Sequence, residues 1–469
     1  MQLVYKPSDK PGWGKTLVFA LQQVLAILAA TIVVPVIINT SDAGKLAGAN
    51  MSQSAALFGA GVGTLVYLLF TKFKSPVFLG SSFAFIGSMC AAFAGATTAA
   101  MGYLGIIIGA ILAGLVYVAI SFIVKYAGTD WIEKVMPAAV IGPTVAVIGL
   151  SLAGNAIGDL TKGSVTNLLG APTANPFVAL ACGLVTLFTT IACSVYGKKM
   201  LKMIPFIIGI VAGYAVAAIF TVIGLIAEAP ALQVINFGLF KDMQWLPEFT
   251  FVQSFDAFKN LDGFGAYLGT IAVAYIPVAF VVFAEHLADH KNISSIIEHD
   301  LLKDPGLDRT LLGDGVGSMV GAFFGGCPNT TYGESVGCVA ISGNASIVTI
   351  ITAAIMCILA SFFAPFVTFL ATIPSCVMGG VCVALYGFIA VSGLKMIQKV
   401  DLEDNRNLFV VSVILIAGVG GMVLNIGKVT ITSVACALIL GILTNVLTHW
   451  KKDEKTEAPV EEVESTEAE

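Results

Sequence analysis

Two short stretches carry most of the residues able to do chemistry. In 283-FAEHLADHKNIS-294, Glu285 and Asp289 stand four residues apart, interleaved with His286 and His290 at the same spacing. Each pair therefore shares one face of a helix. In 327-CPNTTYGESVG-337, a single carboxylate, Glu334, follows a proline, two threonines and a glycine. Carboxylates accept N–H donors and carry protons. Together with imidazoles they also ligate metals.

The patterns of soluble catalysis do not fit. A zinc protease needs His-Glu-x-x-His, but Leu287 follows His286. No phosphate-binding glycine loop or nucleophile triad stands out, so an enzyme is not expected. Nine cysteines are scattered without a CxxC pair and read as small apolar residues. No metal site or cofactor is expected. One rival stays open: a divalent-metal carrier using His286, His290 and a carboxylate such as Glu334, which would want further ligands from a partner helix.

The elements that position these residues are membrane spans. Of 469 residues, 57% are hydrophobic and only 11% charged, against roughly 25% charged in soluble domains. Apolar runs of about 20 residues, each long enough to cross a bilayer, recur along the chain. We read fourteen: 16–39, 52–71, 83–98, 102–124, 136–153, 176–196, 203–227, 267–290, 310–325, 333–346, 347–371, 375–396, 407–425 and 429–449. Cytoplasmic loops are enriched in Lys and Arg. With the N-terminus inside, only Lys45, Lys162, Lys241, Lys259 and Lys428 of the 24 basic residues fall outside. Both termini are thus expected in the cytoplasm of a multi-pass protein of the cell membrane. The acidic end 451–469 reads as a disordered tail.

Spans three and ten are short and open with turn-rich preludes, 79-LGSSFAFIGS-88 and 325-GGCPNTTYGESVG-337. Seven spans separate them, so two such halves would enter the membrane in opposite orientation. Paired interruptions of this kind point to a transporter's binding site. The alternation in 81-SSFAF-85 suits a short extended piece, and Thr330 or Thr331 is placed to cap a helix starting near Gly333. A plain Gly/Pro kink is the simpler reading of the break by itself. An ionisable residue within a span tilts it towards function. The same bland reading applies to 283–294, which would then be the wet end of span eight. Glu285, Asp289 and Glu334 read as the only carboxylates inside spans.

At these residues the chain resembles bacterial uracil permeases of the nucleobase–ascorbate transporter family, which are proton symporters. The resemblance runs through 22-QQVLAILAATIVVPVII-38, 79-LGSSFAFIG-87, 284-AEHLADHKNI-293, 325-GGCPNTTYGESVG-337 and 378-MGGVCVALYG-387. It implies an all-α membrane protein with a seven-plus-seven inverted repeat and short antiparallel β pieces in spans three and ten. Core segments 1–126 and 267–372 would move against gate segments 127–266 and 373–450. It also implies a homodimer, with no nucleic-acid partner. Glu285 and Glu334 would hold the base, Phe83 and Gly333 would offer backbone groups, and Ala30, Ser82, Tyr332 and Tyr386 would shape the pocket. Proton coupling would fall to Glu285, Asp289, Glu334 and His290, the proton being the coupling ion.

Three positions depart from the pattern. Asp289 stands where close members often have His, Ser335 where they often have Asn, and Ser342 where they often have Thr. The expected function is uracil import with a proton. A xanthine or broader nucleobase permease is the runner-up, and a sulfate-permease-type anion transporter is more distant. Two acidic groups at the pocket argue against an anionic substrate.

Overall fold

The computed structural model describes residues 3–128, 137–165, 172–198, 200–241, 243–259, 263–426 and 429–449. The expected tail 451–469 lies outside them. The chain is a mostly helical, polytopic membrane protein. Among the described residues, eight helices are long and apolar enough to cross a membrane, or nine if a bent pair counts as one.

Helices of nine or more residues are labelled here α1 to α15. The first run is α1 (Trp13–Thr40), α2 (Gln53–Phe70), β1 (Leu79–Ser81), α3 (Ile86–Ala94), α4 (Ala99–Ala127) and α5 (Ala138–Ser151). There follow α6 (Pro176–Tyr196), α7 (Pro205–Ile226), α8 (Phe264–Ile297), α9 (Leu307–Gly325), β2 (Asn329–Thr331) and α10 (Gly333–Ser342). The chain continues with α11 (Ile347–Ser361), α12 (Ala364–Thr372), α13 (Ser375–Ile397), α14 (Asn405–Val419), β3 (Leu424–Ile426), β4 (Val429–Ile431) and α15 (Ser433–His449). Each span expected from sequence falls on a helix, and α11 and α12 bend by 81° at their junction. The last two helices are shorter than the spans expected at 407–425 and 429–449. An antiparallel hairpin, β3–β4, occupies the region where they were expected to meet.

Packing sorts the helices into two groups. In one, α9 packs on α2 and α4, α11 packs on α1 and α2, and α8 packs on α4. In the other, α13 packs on α5 and α6, α6 on α7, and α14 on α5 and α15. Glycines let backbones approach within the first group. A Cβ at Gly59 would sit 2.6 Å from the Gly321 carbonyl oxygen, closer than real Cβ contacts come. This is the close packing that small residues permit between membrane helices.

The two interrupted segments pair with each other. β1 and β2 run antiparallel, with Leu79 opposite Thr331, Gly80 opposite Thr330 and Ser81 opposite Asn329. The strand ends earlier than the 81–85 alternation suggested, and Phe83–Phe85 is instead a turn of 3-10 helix leading into α3. Further bonds extend the pairing: Ser82 N–H donates to Pro328 O at 2.9 Å and Tyr332 N–H to Phe78 O at 3.2 Å. Thr64 Oγ1 on α2 accepts from Leu79 N–H at 2.9 Å. Backbone polar groups unpaired in an apolar bundle are costly, and these bonds satisfy them. Gly326, at φ 72°, turns the chain from α9 towards β2.

Ends are tied as well. Residues 4–7 run beside the α10–α11 connection, with Ala345 N–H donating to Tyr5 O at 2.9 Å and Ile347 N–H to Pro7 O at 3.1 Å. On the surface, Lys74 Nζ lies 2.5 Å from Asp304 Oδ1, and the hydrogen bond from Lys74 holds this exposed carboxyl below the usual carboxylate range.

The strand pairing yields a packing prediction. A Cβ at Gly80 would run into the Tyr332 ring, and overpacking of this kind costs about 1–3 kcal/mol. Gly80→Val should therefore lower the midpoint of thermal unfolding in detergent. An unchanged midpoint would show that Tyr332 moves aside freely.

Candidate functional site

Between the two helix groups lies a cavity of about 440 Å³. One wall comes from the first group: Glu285 and Asp289 on α8, Phe83 before α3, Thr331 at the end of β2, and Tyr332, Gly333 and Glu334 at the start of α10. The opposite wall comes from α5, α7 and α13, with Ile148, Phe206, Phe388 and Met396. The carboxylates thus line one side, and the other is apolar apart from Ser392.

The local sequence explains the polar wall. α10 starts at Gly333 directly after β2, so its first N–H groups have no intrahelical acceptor. Neither threonine caps it: the N-cap is Tyr332, without a side-chain cap bond. Thr331 Oγ1 instead donates to Asp289 Oδ2 at 2.9 Å, linking β2 to α8. Gly333 is open to the cavity, and a Cβ there would lie 3.7 Å from Asp289 Oδ1. Tyr332 is turned inwards, its hydroxyl donating to Ser81 O at 2.8 Å. Ser335, in the first turn of α10, accepts from Phe78 N–H at 3.0 Å and from Gln23 Nε2 on α1. That hydroxyl fixes the helix start to both β1 and α1. The carboxylates of Glu285 and Glu334 make no ion pair or hydrogen bond to another side chain among the described residues, and both line the cavity.

The other face of α8 is occupied differently. His286 and His290 are fully buried and stack with ring centroids 3.9 Å apart. His286 Nδ1 donates to Asp314 Oδ2 at 2.7 Å, and its Nε2 lies 3.0 Å from Thr310 Oγ1, both on α9. His290 Nδ1 donates to His286 O at 2.8 Å. Its Nε2 lies 2.7 Å from the Tyr67 hydroxyl, which is itself 2.6 Å from Ser75 Oγ. The four-residue spacing of the sequence thus separates two functions of one helix.

The sequence-expected residues divide accordingly. Glu285, Glu334, Asp289, Phe83, Tyr332 and Gly333 come together on the cavity wall. Ala30 and Ser82 are buried outside it, and Tyr386 is buried with its ring edge-on to Phe83 at 6.2 Å. His290 faces the interior, away from the three carboxylates. The metal-carrier arrangement is not formed, since both histidines point away from Glu334, and no group of three metal-ligating residues occurs among the described residues. A fourth carboxylate lies inside a span, against the expectation of three: Asp314 in α9 is buried and holds His286. Its signal was present, an acid inside the expected span 310–325. The apolar far wall had no signal beyond hydrophobicity.

A helical bundle crossing the membrane many times, with a half-polar cavity between two helix groups, defines a membrane carrier. Residues 14–427 match the permease family, and the chain belongs to it. It is 37% identical to the uracil permease of Bacillus caldolyticus over 94% of this chain and 93% of that one. To the uracil permease of Escherichia coli K12 it is 36% identical, over 93% and 91%. Among solved structures, the transmembrane domain of the cyanobacterial bicarbonate transporter BicA aligns with TM-score 0.56 at 15% identity, over 94% of this chain and 99% of that one. The murine Slc26a9 anion transporter in its inward-facing state aligns with TM-score 0.63 at 13% identity, over 94% and 69%. At such identities the structures share the fold alone.

The buried network gives a second prediction. Asp314→Ala leaves a desolvated imidazole without its acceptor, at a cost of about 1–3 kcal/mol. Asp314→Asn keeps an acceptor and should cost less. Thermal unfolding of both variants in detergent tests this, and equal losses would contradict it.

Proposed function

We propose that this protein imports uracil together with a proton across the cytoplasmic membrane. The observation that carries the reading is the shared cavity wall of Glu285 and Glu334, two carboxylates without side-chain partners beside a helix start that no side chain caps. Uracil's polar edge presents two N–H donors and two carbonyl acceptors. Carboxylates take the donors, and the N–H groups of α10 serve a carbonyl. A base lacking the matching edge leaves buried groups unpaired, which is a strong basis for discrimination. The uracil permeases among its relatives support the substrate.

The transport cycle follows from the two helix groups. The first group, with β1, β2, α8 and α10, holds the substrate as the core. The second forms the gate, and core movement against it carries the base across. This reading keeps the fourteen spans, the seven-plus-seven inverted repeat, the homodimer and both termini in the cytoplasm. The cavity lining follows α13 from Leu385 to Met396, beside Lys395 and Lys399. With basic loops inside, that direction is cytoplasmic, so the arrangement is inward-open.

Glu285 is the proposed proton carrier, with Asp289 and Glu334 sharing its cavity. His290 is engaged with His286 and Tyr67 and is given no part in the relay. Glu285→Gln should lower pH-driven accumulation of labelled uracil at least tenfold while protein level and fold are kept. Undiminished accumulation would remove Glu285 as carrier. Competition by xanthine, thymine, sulfate and Mn²⁺ in the same assay fixes the substrate class, and only uracil-edged bases should compete well.

A further inference from the structure

A second cavity of about 440 Å³ lies between the helix groups, lined by different residues from the first. It is bordered by the end of α1, the start of α2, the end of α12 and the connection that carries Glu248. In the topology proposed above, all of these lie at the extracellular ends. No lysine or arginine lines it, and its polar lining is amide and hydroxyl side chains with one carboxylate, Glu248. An anion finds no cationic side chain there.

Two of these side chains have their hydrogen-bonding capacity unspent. Thr368 is 6% exposed, lines the cavity, and makes no side-chain hydrogen bond among the described residues. Gln53, at the first position of α2, has a buried Oε1 without a partner. Their neighbours are committed to structure: Asn39 accepts from Met51 N–H at 2.7 Å and donates to Met51 O at 2.9 Å, while Ser52 caps α2. Glu248 is held by Gln253 Nε2 at 3.2 Å. Buried polar groups without partners are costly unless a ligand or water completes them. An amide, a hydroxyl and a fixed carboxylate offer donor and acceptor atoms matching a neutral heterocycle with alternating N–H and C=O groups.

We propose that this outer cavity is a second, weaker docking site for the same neutral nucleobase, read by Gln53, Thr368 and Glu248, where substrate waits before the core opens to it. The inference rests on the uracil-transport reading. Loss of such a site slows capture from outside and leaves equilibrium binding at Glu285 intact. Gln53→Leu should raise the KM of uptake about fivefold, the effect of one neutral hydrogen bond. Its kcat and the affinity of purified protein for labelled uracil should not change.

The direct test places a thiol in the cavity. Thr368→Cys is combined with Glu285→Ala in the full-length protein in nanodiscs, and maleimide labelling above the native-cysteine background is measured with and without millimolar uracil. Protection by uracil, absent with sulfate, is the expected result. Accessible labelling without protection, while unmutated protein binds uracil, overturns the second site alone. If unmutated protein binds no uracil either, the transport reading itself fails. An unchanged KM in Gln53→Leu would overturn the capture role, whether or not the cysteine variant folds.

Discussion

Everything at the site depends on how two breaks in the helical backbone satisfy one another. Within an apolar bundle a chain that leaves the helix exposes N–H and C=O groups that lipid cannot serve. Here the break before α3 and the break before α10 are laid side by side, so that each supplies the other's partners through β1 and β2. Thr64 and Ser335 complete the pairing from neighbouring helices. The start of α10 is thereby held in the interior at the wall of a cavity, which an uninterrupted span could not provide. Removal of either break would leave the other unsatisfied.

The helix opposite, α8, works by division of its faces. Glu285 and Asp289 face the cavity, while His286 and His290, one step along, are buried in a network reaching Asp314, Thr310, Tyr67 and Ser75. The network fixes the rotation of α8 about its axis, since turning it would separate the two buried imidazoles from their partners and leave Asp314 without its own. Thr331 adds a bond from β2 to Asp289. The acids are therefore held on one side by their neighbours' bonds and left open on the other.

Much of this was legible in the sequence. Apolar run length placed the helices, and the four-residue spacing correctly separated the acids from the histidines. The Gly, Pro and Thr of 325–337 marked a break. What escaped is what depends on partners distant in the chain. The alternation in 81–85 resembles a strand, but pairing is decided by 329–331, and that register puts the strand at 79–81. Thr331 looks like a helix cap until Asp289, 42 positions earlier, competes for it. Asp314 was overlooked because an isolated acid among glycines carries no pattern of its own. The far wall is ordinary apolar helix surface, and nothing marks Phe388 or Met396 until α13 is laid against α8.

Fold and substrate are separable here. BicA and Slc26a9, named for bicarbonate and for anions, share this architecture at 13–15% identity. Paired broken helices by themselves present N–H groups and positive helix ends, which suit a negative ligand. In this chain Glu285, Asp289 and Glu334 are added to the same frame. In the proposed reading they add acceptors beside the helix start and make it one half of a donor–acceptor edge. A neutral ring carrying both N–H and C=O groups meets both halves, whereas an anion meets only one and is repelled by the other. In the proposed reading the frame supplies amide donors and three side chains choose what is carried.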